Sequence, residues 1–186
     1  MTVIAIEGPD RCGKTEIATQ FSLILDGLDD RSYSSYYRAS SQHQDFLNTP
    51  EKFVQNLRFA DTRMLDMVRQ MNLSIVLDRS WASEWVYSKA FNRQFDNDAM
   101  HFIDREFALD GAIIVIAQRS DYSNIVDDID PIRLNGKKLQ EIHDLFMQFA
   151  EWTKCNVCHL NVDDEDLDRE VSEIFKFMNN IEKVKI

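Results

Sequence analysis

No apolar run in this 186-residue chain approaches the length needed to span a bilayer. Positive charge is scarce: 21 Lys and Arg against 32 Asp and Glu leave a net charge of −11, which argues against a general nucleic-acid binder. A small-anion site stays open, because it needs only a local cluster of arginines. Cysteine is limited to three residues. Cys155-Asn156-Val157-Cys158-His159 spells the C-x-x-C-H of haem attachment, but that chemistry needs export. The N-terminus has no basic segment followed by a long apolar stretch, so a cytoplasmic, intracellular location is expected. A zinc site would need two further ligands at suitable spacing, and none is evident. Cys155 and Cys158 therefore read as reduced thiols at the start of a buried strand. With no internal repeat, low-complexity tract or linker, residues 1–186 read as a single domain with a substantial core.

What is present is concentrated at the front. Thr2-Val3-Ile4-Ala5-Ile6-Glu7 is an apolar, β-branched run, and Gly8-Pro9-Asp10-Arg11-Cys12-Gly13-Lys14-Thr15 follows it and fits G-x-x-x-x-G-K-[ST] in full. Ile17, Ala18, Phe21, Ile24 and Leu25 then recur at helical spacing. Strand, loop and helix are the context in which this motif makes a phosphate site. Its successive N–H groups face inward at the positive end of a helix. Gly8 and Gly13 leave room for phosphate oxygens, Cys12 is a small filler, Lys14 reaches the β- and γ-phosphates, and the Thr15 hydroxyl sits on Mg²⁺.

Further along, strands alternate with helices. Strands are expected at 33–37, 73–77, 111–117 and 157–162, and helices at 14–26, 82–92, 97–109, 136–153 and 164–180. Thr49-Pro50-Glu51 opens another long helix, through about residue 70. The pattern predicts an α/β fold: five parallel strands covered by helices on both faces. Residues 119–137 lack periodicity and read as a lid. The acidic stretches Asp127–Asp130 and Asp163–Glu170 read as solvated loops or helix starts. Ligands of such sheets bind beyond the carboxyl ends of the strands. That rule gathers the Gly8–Thr15 loop, Arg38, Asp78-Arg79 and Arg119 at one edge. A carboxylate at Asp78 could organise Mg²⁺ or accept a proton, and Arg79 could bridge phosphates.

Three stretches resemble the thymidylate kinase family of P-loop deoxynucleoside monophosphate kinases. Residues 7–15 look like its E-G-x-D-[RG]-x-G-K-[ST], and residues 78–87, Asp-Arg-Ser-Trp-Ala-Ser-Glu-Trp-Val-Tyr, look like its D-R-Y-x-x-S-x-x-A-[YF]. Residues 56–63, Asn-Leu-Arg-Phe-Ala-Asp-Thr-Arg, look like its L-L-F-x-A-x-R. The resemblance implies transfer from ATP, with Mg²⁺, to a deoxynucleoside monophosphate such as dTMP, in a homodimeric enzyme. It implies that Phe59 stacks on the acceptor base and that Arg63 and Arg79, with Arg38, hold the acceptor phosphate. Asp10 would position the acceptor, Arg11 would be a catalytic arginine, and Ser83 and Tyr87 would lie in the acceptor pocket. Thr15 and Asp78 would serve the metal, and Arg119 would stack on the donor adenine, or else be an exposed lid residue like Arg133.

Ser80 departs from the family's tyrosine, and Asp-Arg-Ser is close to the Glu-Arg-Ser of deoxynucleoside kinases. Those enzymes phosphorylate the nucleoside 5′-hydroxyl, and Glu7 or Asp78 would then supply the base. The R-x-P-G-G-T of many bacterial members is missing after the second strand; small size and such departures suit a viral or phage version. A non-kinase nucleotide switch is the third reading, although no [NT]-K-x-D follows a late strand.

Overall fold

The computed structural model describes residues 2–28, 33–37, 63–125 and 135–184. Arg38, Phe59, Arg133, residues 126–134 of the expected lid and the start of the helix after Thr49 lie outside the described residues. Five strands, β1 (Val3–Glu7), β2 (Tyr33–Tyr37), β3 (Ser74–Asp78), β4 (Ile113–Gln118) and β5 (Asn156–Asn161), form one sheet in the order β2-β3-β1-β4-β5. Every pairing is parallel. The helices are α1 (Lys14–Leu28), α2 (residues 63–71), α3 (Trp81–Ala90), α4 (Asn97–Leu109), α5 (Gly136–Trp152) and α6 (Leu167–Val184). None of the described helices is long and apolar enough to cross a membrane.

Successive side chains of a strand point to opposite faces, so a central strand with both faces covered must be apolar throughout. β1 and β4 meet that demand. Val3, Ala5, Ile114 and Ile116 join one core with Leu65 and Val68 of α2, Trp81 and Trp85 of α3, Phe107 of α4 and Phe146 and Phe149 of α5. Ile4, Ile6, Ile113, Val115 and Ala117 join the other with Ile17, Phe21 and Leu25 of α1 and Val171 and Ile174 of α6. Trp81 stacks on Phe107 at 3.9 Å and donates to Asp104 at 3.2 Å, a packing role.

Several element ends differ from expectation by a few residues, two of them for evident local reasons. The third strand runs one residue further, because Asp78 pairs in register with Ile6. The last helix starts at Leu167 rather than 164, because Glu165 has φ 53, a left-handed conformation that a right-handed helix cannot continue through. The register sets Ile6 opposite Asp78 and Glu7 opposite Ile116, so β1 and β3 end within a residue of each other and β4 runs two residues further in the same direction. The loops that follow all meet at one edge.

Candidate active site

The site begins where β1 stops. Gly8 turns the chain with φ 134, and a Cβ there would lie 2.1 Å from the Ala117 carbonyl oxygen. Only glycine lets the loop pass β4 that closely. Gly13 has φ 61, but a Cβ there would meet nothing within 4 Å. Gly13 lines the open cleft. Arg11, at φ 65, projects from the loop and is exposed. The Cys12 thiol is buried, 3.6 Å from the Tyr122 hydroxyl, and burial raises its pKa. It is the small filler expected.

Lys14 opens α1, is 6% exposed, and donates through Nζ to the Pro9 carbonyl. Burial and the nearby Arg79 guanidinium push its ammonium down to about 8. A cation held in a cleft against its own preference is poised for an anionic ligand.

The Thr15 hydroxyl donates to Asp78 Oδ2 at 2.7 Å, joining the first turn of α1 to the end of β3. The other oxygen, Asp78 Oδ1, is buried without a hydrogen-bond partner. An orphaned carboxylate oxygen beside a hydroxyl suits a hard cation with oxygen ligands. Among the described residues no three His, Cys, Asp or Glu side chains cluster as a metal cage. A Mg²⁺ held by one or two protein oxygens, with phosphate and water completing its shell, fits such a donor set.

Arg79 follows Asp78 with φ 70, which turns its side chain toward the phosphate loop. Its guanidinium pairs with Asp10 Oδ1, while the Tyr87 hydroxyl donates to Asp10 Oδ2 at 2.8 Å. Arg79 also lies over the Tyr87 ring, 5.3 Å from its centroid. Burial alone would raise the Asp10 carboxyl, but Arg79, Lys14 and the Tyr87 hydrogen bond outweigh it and hold its pKa below the usual value.

Ser83 and Ser80 both bond to Glu7. Its hydroxyl donates to Glu7 Oε2 at 2.5 Å, and the Ser80 hydroxyl donates to Glu7 Oε1. Glu7 is fully buried, which raises its pKa despite these two bonds. Ser83 thereby ties α3 to the end of β1 and is not among the described residues that line the cleft. Arg63 is exposed at the start of the described part of α2 and likewise does not line it.

The cleft holds about 800 Å³ and is lined on one side by residues 10–16 and Arg79. On the other side stand Arg119, Ile125, Val162, Glu165, Leu167 and Glu170. Arg119 spans the two, donating from Nε to the Arg11 carbonyl at 3.0 Å and from Nη2 to Glu165 at 2.6 Å. Asp10, Arg11, Cys12, Gly13, Lys14, Thr15, Arg79 and Arg119 are thus brought together as expected, with Gly8, Asp78 and Tyr87 directly behind them.

No family model and no curated protein matches the chain by sequence. Solved structures do match by shape. The YorR protein of Bacillus subtilis, solved in complex with phosphorylated GDP, is 19% identical, with 98% of each chain covered and a TM-score of 0.68. Thymidylate kinase from Ehrlichia chaffeensis is 15% identical, covering 95% of this chain and 98% of its own, at a TM-score of 0.63. Deoxyadenosine kinase from M. mycoides, with dCMP and dCDP bound, is 17% identical, covering 97% and 100%, at 0.54. The chain has a thymidylate kinase-like fold.

Within that fold, the far wall of the cleft is what sequence reasoning missed. Tyr122, Ile125, Val162, Glu165 and Glu170 carry no motif. Glu170 was nonetheless detectable: it shares a helical face with Leu167, Val171 and Ile174, and a carboxylate on an apolar stripe is an anomaly. Reading 163–170 as a solvated run hid it.

Proposed function

We propose that this protein is a nucleotide kinase that transfers the terminal phosphoryl group of ATP, with Mg²⁺, to a deoxynucleoside monophosphate, with dTMP converted to dTDP. The observation carrying this reading is that Arg79, from the end of β3, enters the same cleft as Lys14 and the phosphate loop. One cation serves a triphosphate and the other stands ready for a second phosphate.

Phosphoryl transfer is mostly positioning and charge stabilisation. The loop N–H groups and Lys14 hold the donor phosphates. Arg79, set by Asp10 and Tyr87, grips the acceptor phosphate through its planar fork. Arg11 stabilises charge on the transferred group. A Mg²⁺ held by Thr15 and Asp78 would neutralise charge shared by the donor phosphates. Phe59, Arg63 and Arg38 remain proposals for the acceptor side, as does a lid over 119–137. The exposed Met67 and Met71 of α2 support the homodimer implied by the family resemblance, which sedimentation would test.

Lys14→Ala, assayed for transfer from ATP to dTMP, is the decisive variant. Turnover should be lost, and unchanged turnover would sink the assignment. A second reading, deoxynucleoside phosphorylation, is favoured by Asp78 Oδ1, a buried acceptor with no partner that could take a hydroxyl proton. Glu7 is the weaker base, since Ser80 and Ser83 occupy its two oxygens. ATP offered with each deoxynucleoside monophosphate and each nucleoside separates the two readings.

A further inference from the structure

In the wall of the cleft that also holds Arg119 and Glu165 stands a buried carboxylate with one oxygen that accepts no hydrogen bond. Glu170, in the first turn of α6, is 4% exposed, and its Oε1 accepts no hydrogen bond. The nearest cation paired with it, Arg169 Nη2, is 3.9 Å away. That guanidinium is already taken up by Asp164, Glu173 and the Asn161 carbonyl at 2.6–2.8 Å. Leaving a buried acceptor empty is unfavourable, and native structures keep such groups where a ligand supplies the missing donor.

The surroundings define that ligand. Ile125, Val162 and Leu167 offer apolar surface for a ring, and the guanidinium plane of Arg119 is held at the same wall by Arg11 and Glu165. A nucleoside triphosphate with its phosphates on the Gly8–Thr15 loop would extend its base toward this wall. The other carboxylate at this wall differs: Glu165 is already paired with Arg119.

We infer that Glu170 is the donor-base specificity residue, accepting N–H groups from the hydrogen-bonding edge of a purine. The inference rests on reading the cleft as a nucleoside triphosphate site. Guanine offers two adjacent N–H donors to an ionised carboxylate. Adenine offers one N–H and one acceptor, which suits the protonated acid, and burial raises the Glu170 pKa.

Binding of ATP, GTP and purine riboside triphosphate, measured without acceptor, tests this. The last has no N–H on that edge. Wild-type protein should bind ATP or GTP at least about tenfold tighter than purine riboside triphosphate, and Glu170→Ala should erase the difference. Glu170→Gln separates the bases: glutamine can pair with adenine as acceptor and donor, but offers guanine only one acceptor. Retained ATP selectivity in that variant identifies adenine, and lost GTP selectivity identifies guanine. The ligand-free Glu170→Gln protein should melt no lower than wild type, because a buried carboxylate with an unbonded oxygen has been removed. Equal binding of all three by wild type, equal weakening of all three in Glu170→Ala, or no triphosphate binding would overturn the inference. Selective binding without transfer to any acceptor would instead sink the kinase reading and leave Glu170 standing.

Discussion

The Tyr87 hydroxyl donates to Asp10 Oδ2 at 2.8 Å, so a side chain of α3 holds the phosphate loop's aspartate in place. Asp10 in turn pairs with Arg79, whose guanidinium lies over the Tyr87 ring. The three side chains fix one another. Each alone would leave Arg79 free among its many rotamers.

The triangle can be opened at one corner. Tyr87→Phe keeps the ring beneath Arg79 and deletes the bond to Asp10. A hydrogen bond of this kind contributes about 1–2 kcal/mol. The expected result is a roughly five- to tenfold rise in the KM for the acceptor, with a smaller change in the KM for ATP. Steady-state kinetics with each substrate varied in turn checks this. A lowered melting temperature with both KM values unchanged would show that the contact serves only folding.

Gly8 and Gly13 should fail in different ways. Gly8→Ala drives a Cβ into the Ala117 carbonyl at a φ that side chains rarely adopt. The loop must move off β4, and a loss of about 2–4 kcal/mol in stability is expected from urea denaturation. Gly13→Ala has room for its Cβ, so folding should lose only about 1 kcal/mol. Gly13 lines the cleft, however, so triphosphate binding should fall far more than stability. Calorimetric titration alongside denaturation distinguishes the two.

Thr15 and Asp78 should share one phenotype. Asp78→Asn removes a charge and Thr15→Val removes the hydroxyl, and both should raise the Mg²⁺ concentration needed for half-maximal rate by about 10–100-fold. Because the two side chains are hydrogen-bonded to each other, the double variant should lose less than the product of the single effects. A Mg²⁺ titration of all four proteins reads this, and unchanged Mg²⁺ dependence in Asp78→Asn would remove that residue from the metal site.

The parallel sheet and the phosphate loop were legible because they rest on short-range signals: unbroken apolar runs for β1 and β4, and a fixed spacing from Gly8 to Thr15. Residues placed by register were partly legible. Arg79 was expected at the cleft because it follows a strand, but its left-handed backbone and its pairing with Asp10 were not written in the motif. The hydrogen bond from Ser83 to Glu7 was likewise not written in the motif, because a serine in the first turn of α3 meets β1 only through tertiary packing. Ile125 and Val162 were invisible because they meet α6 only through tertiary packing, and Glu170 alone left a trace, as a carboxylate on an apolar stripe.

Lys14 makes the pH dependence specific. In the unfolded chain its ammonium has the ordinary value of 10.5, and in the cleft burial and Arg79 bring it to about 8. Below about pH 8 both states are protonated, and the cost of keeping the charge buried is present in full. Between about 8 and 10.5 the unfolded chain binds more protons than the folded one, so stability should rise with pH across that window. Lys14→Met removes the group, so the slope of the urea midpoint between pH 8 and 10 should flatten relative to wild type. A bound triphosphate reverses the balance, because its charge favours the ammonium. Nucleotide binding near pH 8.5 should therefore take up protons, detectable as a heat that varies with buffer ionisation enthalpy. In turnover, kcat/KM for ATP should decline above about pH 8, where free enzyme loses the proton, while kcat stays level to higher pH. Lys14→Arg cannot lose its charge in this range, so its kcat/KM profile should lack the alkaline decline even if its absolute rate is lower.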